Sequence, residues 1–370
     1  MSKAGNFTNV LRLLFTTLAL FLSACQGTST QPKPLSFFDS TKGEADFFPR
    51  SSPEAAGVDP AALAKLVSEA QAAHSSALIV LQDGHAVAER YFGHDPEQPI
   101  RINSVTKSIA SLAIGQLIDD GKITSLDTPL SKWFPEWAKG EKAKITLRNI
   151  LSHTSGLYHE ASAAKLYQQR DVVRYARELT VTAEPGKDFS YSNEAVALLP
   201  GIVLAASGKP LDIYLQERLF KPLGISNYNW DRDAAGNVMA YGGLWLRPRD
   251  LARIGQLMLD SGRWKGKQLV PAAWVRACTS PARADIQDYG LLWWLYPKSA
   301  DAPAGFGGDG WLGQYLVVYP KHHLVAVRLH AAEAGNDDRE NRKYGFSAFR
   351  ELLSALAPAP VADKFKVEVH

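Results

Sequence analysis

Residues 102–122, INSVTKSIASLAIGQLIDDGK, put apolar side chains on most sides of a helical wheel and still admit a lysine. Val105, Ile109, Leu112, Ala113, Ile114 and Leu117 cover much of that wheel, so other elements must enclose this helix nearly all round. Ser104, Lys107, Ser108, Ser111 and Gly115 share one small, polar stripe. A lysine enclosed there loses hydration, which lowers its pKa and makes it a usable base. Ser104 falls at the predicted helix N-terminus, where unpaired N–H groups and the helix dipole favour developing negative charge. A serine at that point with a lysine one turn on is a workable activated nucleophile.

Strand signals lie on both sides of this helix. VDPAALAKLVSEAQAAH predicts a helix with Asp59 as N-cap and Pro60 at its first position. ALIVLQDGHAVAERYFG predicts two strands turning at Asp83-Gly84. From about 125 to 283 the chain reads mainly as helical pieces, among them 163–178, 194–206, 211–219 and 248–261. Strand character returns at 289–297, then in QYLVVYP and HLVAVRLHA, a hairpin turning at Pro320-Lys321, before a last helix over 344–356. Hairpins rather than strand–helix–strand alternation imply an antiparallel sheet. The expected architecture is α+β: a sheet domain from 51–124 and 286–358, with an all-helical domain, 125–285, inserted. A cleft is expected where the two meet. Residues 359–370 read as a tail.

The N-terminus has a different character. Lys3 and Arg12 supply a positive n-region before an apolar run over 13–22, too short to span a bilayer and suited to a signal peptide over 1–24. The run ends in Leu22-Ser23-Ala24-Cys25, which resembles a bacterial lipobox and implies cleavage before Cys25 and lipidation of its thiol. Gln26 after the cysteine points to the periplasmic face of the outer membrane. Residues 25–50, with Pro32, Pro34 and Pro49, read as a tether. Cys278 is the one other cysteine, so an acylated Cys25 excludes an intrachain disulfide. A formal charge of +3 without a basic run excludes a nucleic-acid footprint. No Cys/His zinc spacing occurs, and His159-Glu160 has no second histidine in register for HExxH, so no metal is expected.

Ser-x-x-Lys occurs twice, but Ser162–Lys165 sits in an amphipathic, heavily charged segment that predicts a solvated lysine. PGKDFSYSNEAVALL adds Tyr191-Ser192-Asn193 ahead of a predicted helix. A tyrosine beside a cationic lysine loses its proton more readily and can relay protons between serine and leaving group. Asn193 could bond a substrate carbonyl or hold Lys107. GFGGDG and GDGWLG match a dinucleotide fingerprint, but alternating strand sequence follows where that motif needs a helix. His153 in LSHTSGL lacks any Gly-x-Ser-x-Gly elbow to pair with. GLLWWLYP reads as core, with Trp293, Trp294 or Trp311 available to line a cleft.

SVTKSIASLAIGQLIDDGKITSLDTPLSKWFPEW, ITLRNILSHTSGL, PGKDFSYSNEAVALL, FKPLGISN, GGLWLRPRDLARIGQLML and GRWKGKQLV together resemble the penicillin-recognising serine hydrolases of the class C β-lactamase type. That family includes D-alanyl-D-alanine carboxypeptidases, short-chain esterases and 6-aminohexanoate-dimer hydrolases. The likeness spans residues 51–356 with the motifs in order. It implies Ser104 as acylated nucleophile, Lys107 as its activating partner and Tyr191 as general base and acid with Asn193 beside it. It makes His153 a structural turn residue. The third motif, usually Lys/His-Thr-Gly, aligns with Gly308-Asp309-Gly310: only Gly310 matches, and the cation position is Gly308. The oxyanion hole would be the backbone N–H groups of Ser104 and Trp311. With Asp309 near the substrate, a penicillin carboxylate would meet repulsion, which favours a neutral or amine-bearing ester or amide. β-Lactam or D-alanyl peptide hydrolysis is the second expectation, and a catalytically silent ligand-binding homologue the third. The implied chemistry uses no metal or organic cofactor.

Overall fold

In the computed structural model, which describes residues 36–39, 48–299, 303–332 and 346–356, both ends of the chain feed one sheet. α1 (Pro60–Ala72) starts where expected, with Asp59 accepting from the Ala61 N–H. β1 (Ala77–Gln82) and β2 (His85–Tyr91) turn at Asp83-Gly84, both at positive φ. β3 (Ile100–Arg101) leads into α2 (Val105–Asp119). The helical stretch follows as α3 (Leu147–Leu151), α4 (Ala164–Tyr167), α5 (Val172–Glu178), α6 (Asn193–Val196), α7 (Leu199–Ser207), α8 (Leu211–Leu215) and α9 (Lys221–Leu223). Then come β4 (Tyr228–Trp230), β5 (Leu244–Leu246), α10 (Pro248–Leu259), the small hairpin β6 (Arg263–Trp264) and β7 (Lys267–Gln268), and α11 (Ala272–Cys278). β8 (Trp294–Tyr296), β9 (Gly305–Gly310), β10 (Gln314–Tyr319), β11 (Leu324–Leu329) and α12 (Phe349–Ser354) complete it.

The main sheet runs β2-β1-β11-β10-β9-β8, antiparallel at every pairing. Its period of two sends Leu78, Val80, Val317 and Ala326 to one face, against Leu66 of α1 and Phe349 of α12. Ile79, Leu81, Leu316 and Val325 go to the other, the core shared with α2 and α10. α10 lies so close that a Cβ on Gly255 would meet Val325 Cγ1 at 2.5 Å. Thus the stretch 125–285, expected to be an all-helical insertion, gives α10 to the sheet's cover and β4 and β5 to a three-stranded sheet with β3.

Some expected elements break for local reasons. The helix expected over 163–178 is two, because Asp171 turns extended and caps α5 through the Arg174 N–H. The strand expected over 289–297 shrinks to β8, since Leu292 sits at φ 62° and a Cβ on Gly290 would meet the Cys278 carbonyl at 1.9 Å. The signal peptide, Cys25 and the tail at 359–370 lie outside the described residues. Part of the expected tether is ordered against β2: Phe38 and Arg50 bridge to Glu89 and Ala86 in parallel. Among the described residues no single helix is long and apolar enough to cross a membrane.

The stripe on α2 has a packing reason as well as a chemical one. Residues Val105 to Leu117 are all buried. Ser108 donates to the Leu292 carbonyl at 2.7 Å, and Trp293 Nε1 donates to Ser111 Oγ at 3.2 Å. A Cβ on Gly115 would overlap the Trp274 ring at 2.1 Å. Small residues let these neighbours close on the helix.

Candidate active site

Ser104 occupies the N-cap of α2, but with helical backbone (φ −65°, ψ −12°) and no capping hydrogen bond from its side chain. The hydroxyl instead receives a hydrogen bond from Lys107 Nζ at 3.0 Å. Lys107 is 1% exposed and gives a second bond to the Tyr241 carbonyl at 2.5 Å. Burial pulls its pKa down to about 7, against the opposing pull of the Glu194 carboxylate. A sizeable share of Lys107 is therefore uncharged amine at neutral pH, able to accept the Ser104 proton.

The Tyr191 ring lies under that amine, with Nζ 4.9 Å from its centroid. Burial pushes the phenol up to about 12; the Ser104 hydroxyl lowers it, while Asp309 and Tyr167 raise it. Desolvation sets the direction of the Tyr191 shift and leaves it a proton donor at rest. Asn193 opens α6. Its side chain makes no hydrogen bond among the described residues, and the Tyr241 carbonyl, not Asn193, holds Lys107. His153 packs behind Tyr191, with ring centroids 4.4 Å apart.

The third motif lies on β9, beside the serine. Register puts Gly308 opposite Leu316, on the face against α2, where a Cβ would meet Val105 Cγ1 at 2.8 Å and Ser108 Oγ at 3.2 Å. The position that would carry a cation has no room for a side chain. Asp309 pairs with Tyr315 on the opposite face of the sheet. There Tyr296 Oη donates to its Oδ1 at 2.6 Å, and burial raises its pKa, countered by Tyr296 and Arg350. The expectation of Asp309 beside the substrate is corrected by this alternation; its charge reaches the site by acting on Tyr191. A Cβ on Gly310 would meet the Ile102 carbonyl at 2.6 Å, so the end of β9 is pressed against the approach to Ser104. Asn103 Nδ2 donates to the Trp311 carbonyl at 2.9 Å, tying the turn after β9 to the residue before Ser104.

Aromatic side chains surround the cluster. Trp294 stacks on Tyr191 at 6.0 Å, whereas Trp293 is fully buried. Among the described residues Tyr158, Phe189 and Trp311 are the exposed aromatics, at 39%, 37% and 45%. The second Ser-x-x-Lys pair is on the surface, with Lys165 bound to Glu160 at 3.0 Å. No group of three or more His, Cys, Asp or Glu is placed to hold a metal among the described residues. Sequence patterns did not disclose the Tyr241 carbonyl, since a backbone acceptor leaves no residue-type signature.

A helix-borne serine and lysine meeting a tyrosine beside an antiparallel sheet define a serine hydrolase of the penicillin-recognising type. Residues 63–348 match the model of the Beta-lactamase family, and the chain belongs to that family. It is 26% identical over 301 residues to the D-alanyl-D-alanine-carboxypeptidase/endopeptidase AmpH of Escherichia coli strain K12, covering 68% of this chain and 77% of that one. To the 6-aminohexanoate-dimer hydrolase of Paenarthrobacter ureafaciens it is 26% identical over 296 residues, covering 69% and 72%. The octameric penicillin-binding protein homologue from Pyrococcus abyssi shares the fold, with a TM-score of 0.62, 20% identity and coverage of 77% and 75%.

Proposed function

We propose that the protein hydrolyses an ester or amide through an acyl-enzyme on Ser104. The observation that carries this reading is a fully enclosed Lys107, held near neutrality, 3.0 Å from a serine hydroxyl at a helix start. Ser104 Oγ attacks the carbonyl carbon and its proton passes to Lys107 Nζ. The oxyanion is met by the N–H groups of Ser104 and Trp311, donors of a kind worth about 3–4 kcal/mol each. Tyr191 then gives its proton to the departing oxygen or nitrogen as the carbonyl bond to it breaks, and recovers one from Lys107. Water attacks the acyl-serine in the reverse sense, releasing the acid and restoring Ser104.

Substrate choice follows from what borders the serine. Gly308 stands where the family carries a cation, and a substrate carboxylate finds no ion pair at that position. Phe189, packed on His153, and Trp311, tied to Asn103, offer exposed apolar surface instead. This favours an ester or amide without a carboxylate beside the scissile bond, the class in which a 6-aminohexanoate-dimer hydrolase-like activity falls. Hydrolysis of D-alanyl peptides or β-lactams is the second reading, supported by the likeness to the Escherichia coli carboxypeptidase. The lipobox supports export and anchoring of the mature chain at Cys25, on the periplasmic face of the outer membrane.

Intact-protein mass after reaction with a fluorophosphonate tests the nucleophile. One adduct is expected on the wild type and none on Ser104→Ala; labelling of both, or of neither, removes the assignment. Turnover of p-nitrophenyl esters against nitrocefin and D-alanyl peptides then separates the two substrate readings.

A further inference from the structure

The segment that carries Tyr191 is fastened to one histidine on both sides of that residue. The Ser190 N–H donates to the His153 carbonyl at 2.8 Å, and the Ser192 N–H donates to His153 Nδ1 at 3.1 Å. Between these two bonds the imidazole lies against the phenol at 4.4 Å and 39°. His153 is 1% exposed and sits at φ 54°, in the left-handed region. An Nδ1 that accepts an N–H carries no proton, so the ring hydrogen is on Nε2 and is donated to Tyr289 Oη at 3.1 Å. Burial, with Lys107 and His159 nearby, holds the histidine pKa well below its ordinary value and keeps the ring neutral.

The rest of the turn is fitted to the same segment. Gly186 N–H donates to the Thr154 carbonyl at 2.7 Å, and Thr182 N–H to the Gly156 carbonyl at 2.8 Å. A Cβ on Gly156 would meet the Ala183 carbonyl at 2.2 Å. Within this bracket, the two bonds at His153 are the ones that flank Tyr191 directly.

We infer that His153 is a positioning residue for the hydrolysis: its carbonyl and Nδ1 fix the peptides on either side of Tyr191, so that the phenol keeps its place as proton donor to the leaving group. The inference rests on the role proposed above for Tyr191. A proton donor matters in proportion to the basicity of what leaves: p-nitrophenolate departs without a proton, whereas an alkoxide does not. Misplacing Tyr191 therefore slows alkyl esters more than p-nitrophenyl esters, and a general loosening of the site slows both alike.

The experiment measures kcat/KM, which reports acylation, for an alkyl and a p-nitrophenyl ester of one acid. It compares wild type, His153→Phe, His153→Asn and Tyr191→Phe. Phenylalanine keeps an aromatic face and loses the acceptor; asparagine keeps an acceptor near Nδ1 and tolerates the left-handed backbone. His153→Phe is expected to lose roughly 10- to 100-fold on the alkyl ester and under about 3-fold on the p-nitrophenyl ester, with His153→Asn within about 5-fold of wild type on both. Equal losses on the two esters in His153→Phe, or no recovery in His153→Asn, overturn the inference. If Tyr191→Phe itself shows no dependence on the leaving group, the role of Tyr191 fails and the inference with it. Selective loss in Tyr191→Phe beside uniform loss in His153→Phe overturns the role of His153 alone. Should the phenylalanine variant not fold, His153→Ala against His153→Asn reads the same contrast.

Discussion

Lys107 exchanges water for two fixed acceptors, the Ser104 hydroxyl and the Tyr241 carbonyl, and that exchange links stability to pH. Its pKa falls from an ordinary 10.5 to about 7 on folding. Below about 7 both states hold the proton, and the folded state bears the cost of enclosing a charge. Between about 7 and 10.5 the unfolded chain holds a proton that the folded one has released, so stability rises with pH through that window. The slope is about 1.4 kcal/mol per pH unit for one proton. Urea unfolding of wild type and Lys107→Met at several pH values should show this slope in the first and lose it in the second; parallel curves would refute an enclosed neutral amine. The same titration predicts that kcat/KM climbs with an acid-limb midpoint near 7, while a phenol at about 12 leaves Tyr191 protonated through the alkaline range. These residues were legible in SVTK and YSN because an apolar wheel with one lysine, and a tyrosine ahead of a helix, are patterns of residue type. The direction of the Tyr191 shift was not, because how much water a phenol loses is a property of packing.

The contact between β9 and α2 leaves no room for a side chain at position 308. Gly308 faces Val105 and Ser108, and the Ser108 hydroxyl is committed to the Leu292 carbonyl at 2.7 Å, so it cannot swing aside without losing that bond. Gly308→Ala should cost about 1–3 kcal/mol through overpacking. It should also lower ester turnover more than tenfold or so, because the turn bearing the Trp311 N–H follows directly from β9. Thermal melts with ester assays read both effects, and a variant that matches wild type in each would show that β9 yields at no cost. For the same reason Gly308→Lys should not create recognition of a carboxylate. The sequence GFGGDG showed that positions 308 and 309 point to opposite faces once it was read as a strand. Which face meets α2 depends on the pairing of Gly308 with Leu316, a long-range fact. The division of 163–178 into two helices had a local cause in Asp171, which the amphipathic periodicity of the whole stretch concealed.

At the scale of the molecule, the chain before the hydrolase fold closes the sheet's outer edge. β2 is a terminal strand, and unpaired edges template association between copies. Glu89 N–H donates to the Phe37 carbonyl at 2.9 Å and Asp39 N–H to the Glu89 carbonyl at 3.1 Å; Ala86 N–H and Ser51 N–H pair with the Pro49 and Ala86 carbonyls at 2.8 and 3.0 Å. Asp39 adds an ion pair to Arg90 at 2.9 Å, and Phe38 and Phe48 pack on the core. Such hydrogen bonds do not by themselves offset the conformational entropy of ordering the residues that make them, so the pairing also depends on the apolar contact of Phe38 and Phe48 and on the Asp39–Arg90 ion pair. Anchoring and edge closure are separable. Cys25→Ser should leave melting temperature and turnover unchanged while moving the protein from membranes to the soluble fraction. Deleting residues 1–50 should also release it, but lower the melting temperature by several degrees and bring concentration-dependent association. Equal melting temperatures for the two would mean that the N-terminal pairing contributes nothing to the fold, and a Cys25→Ser protein still on membranes would remove the lipid anchor.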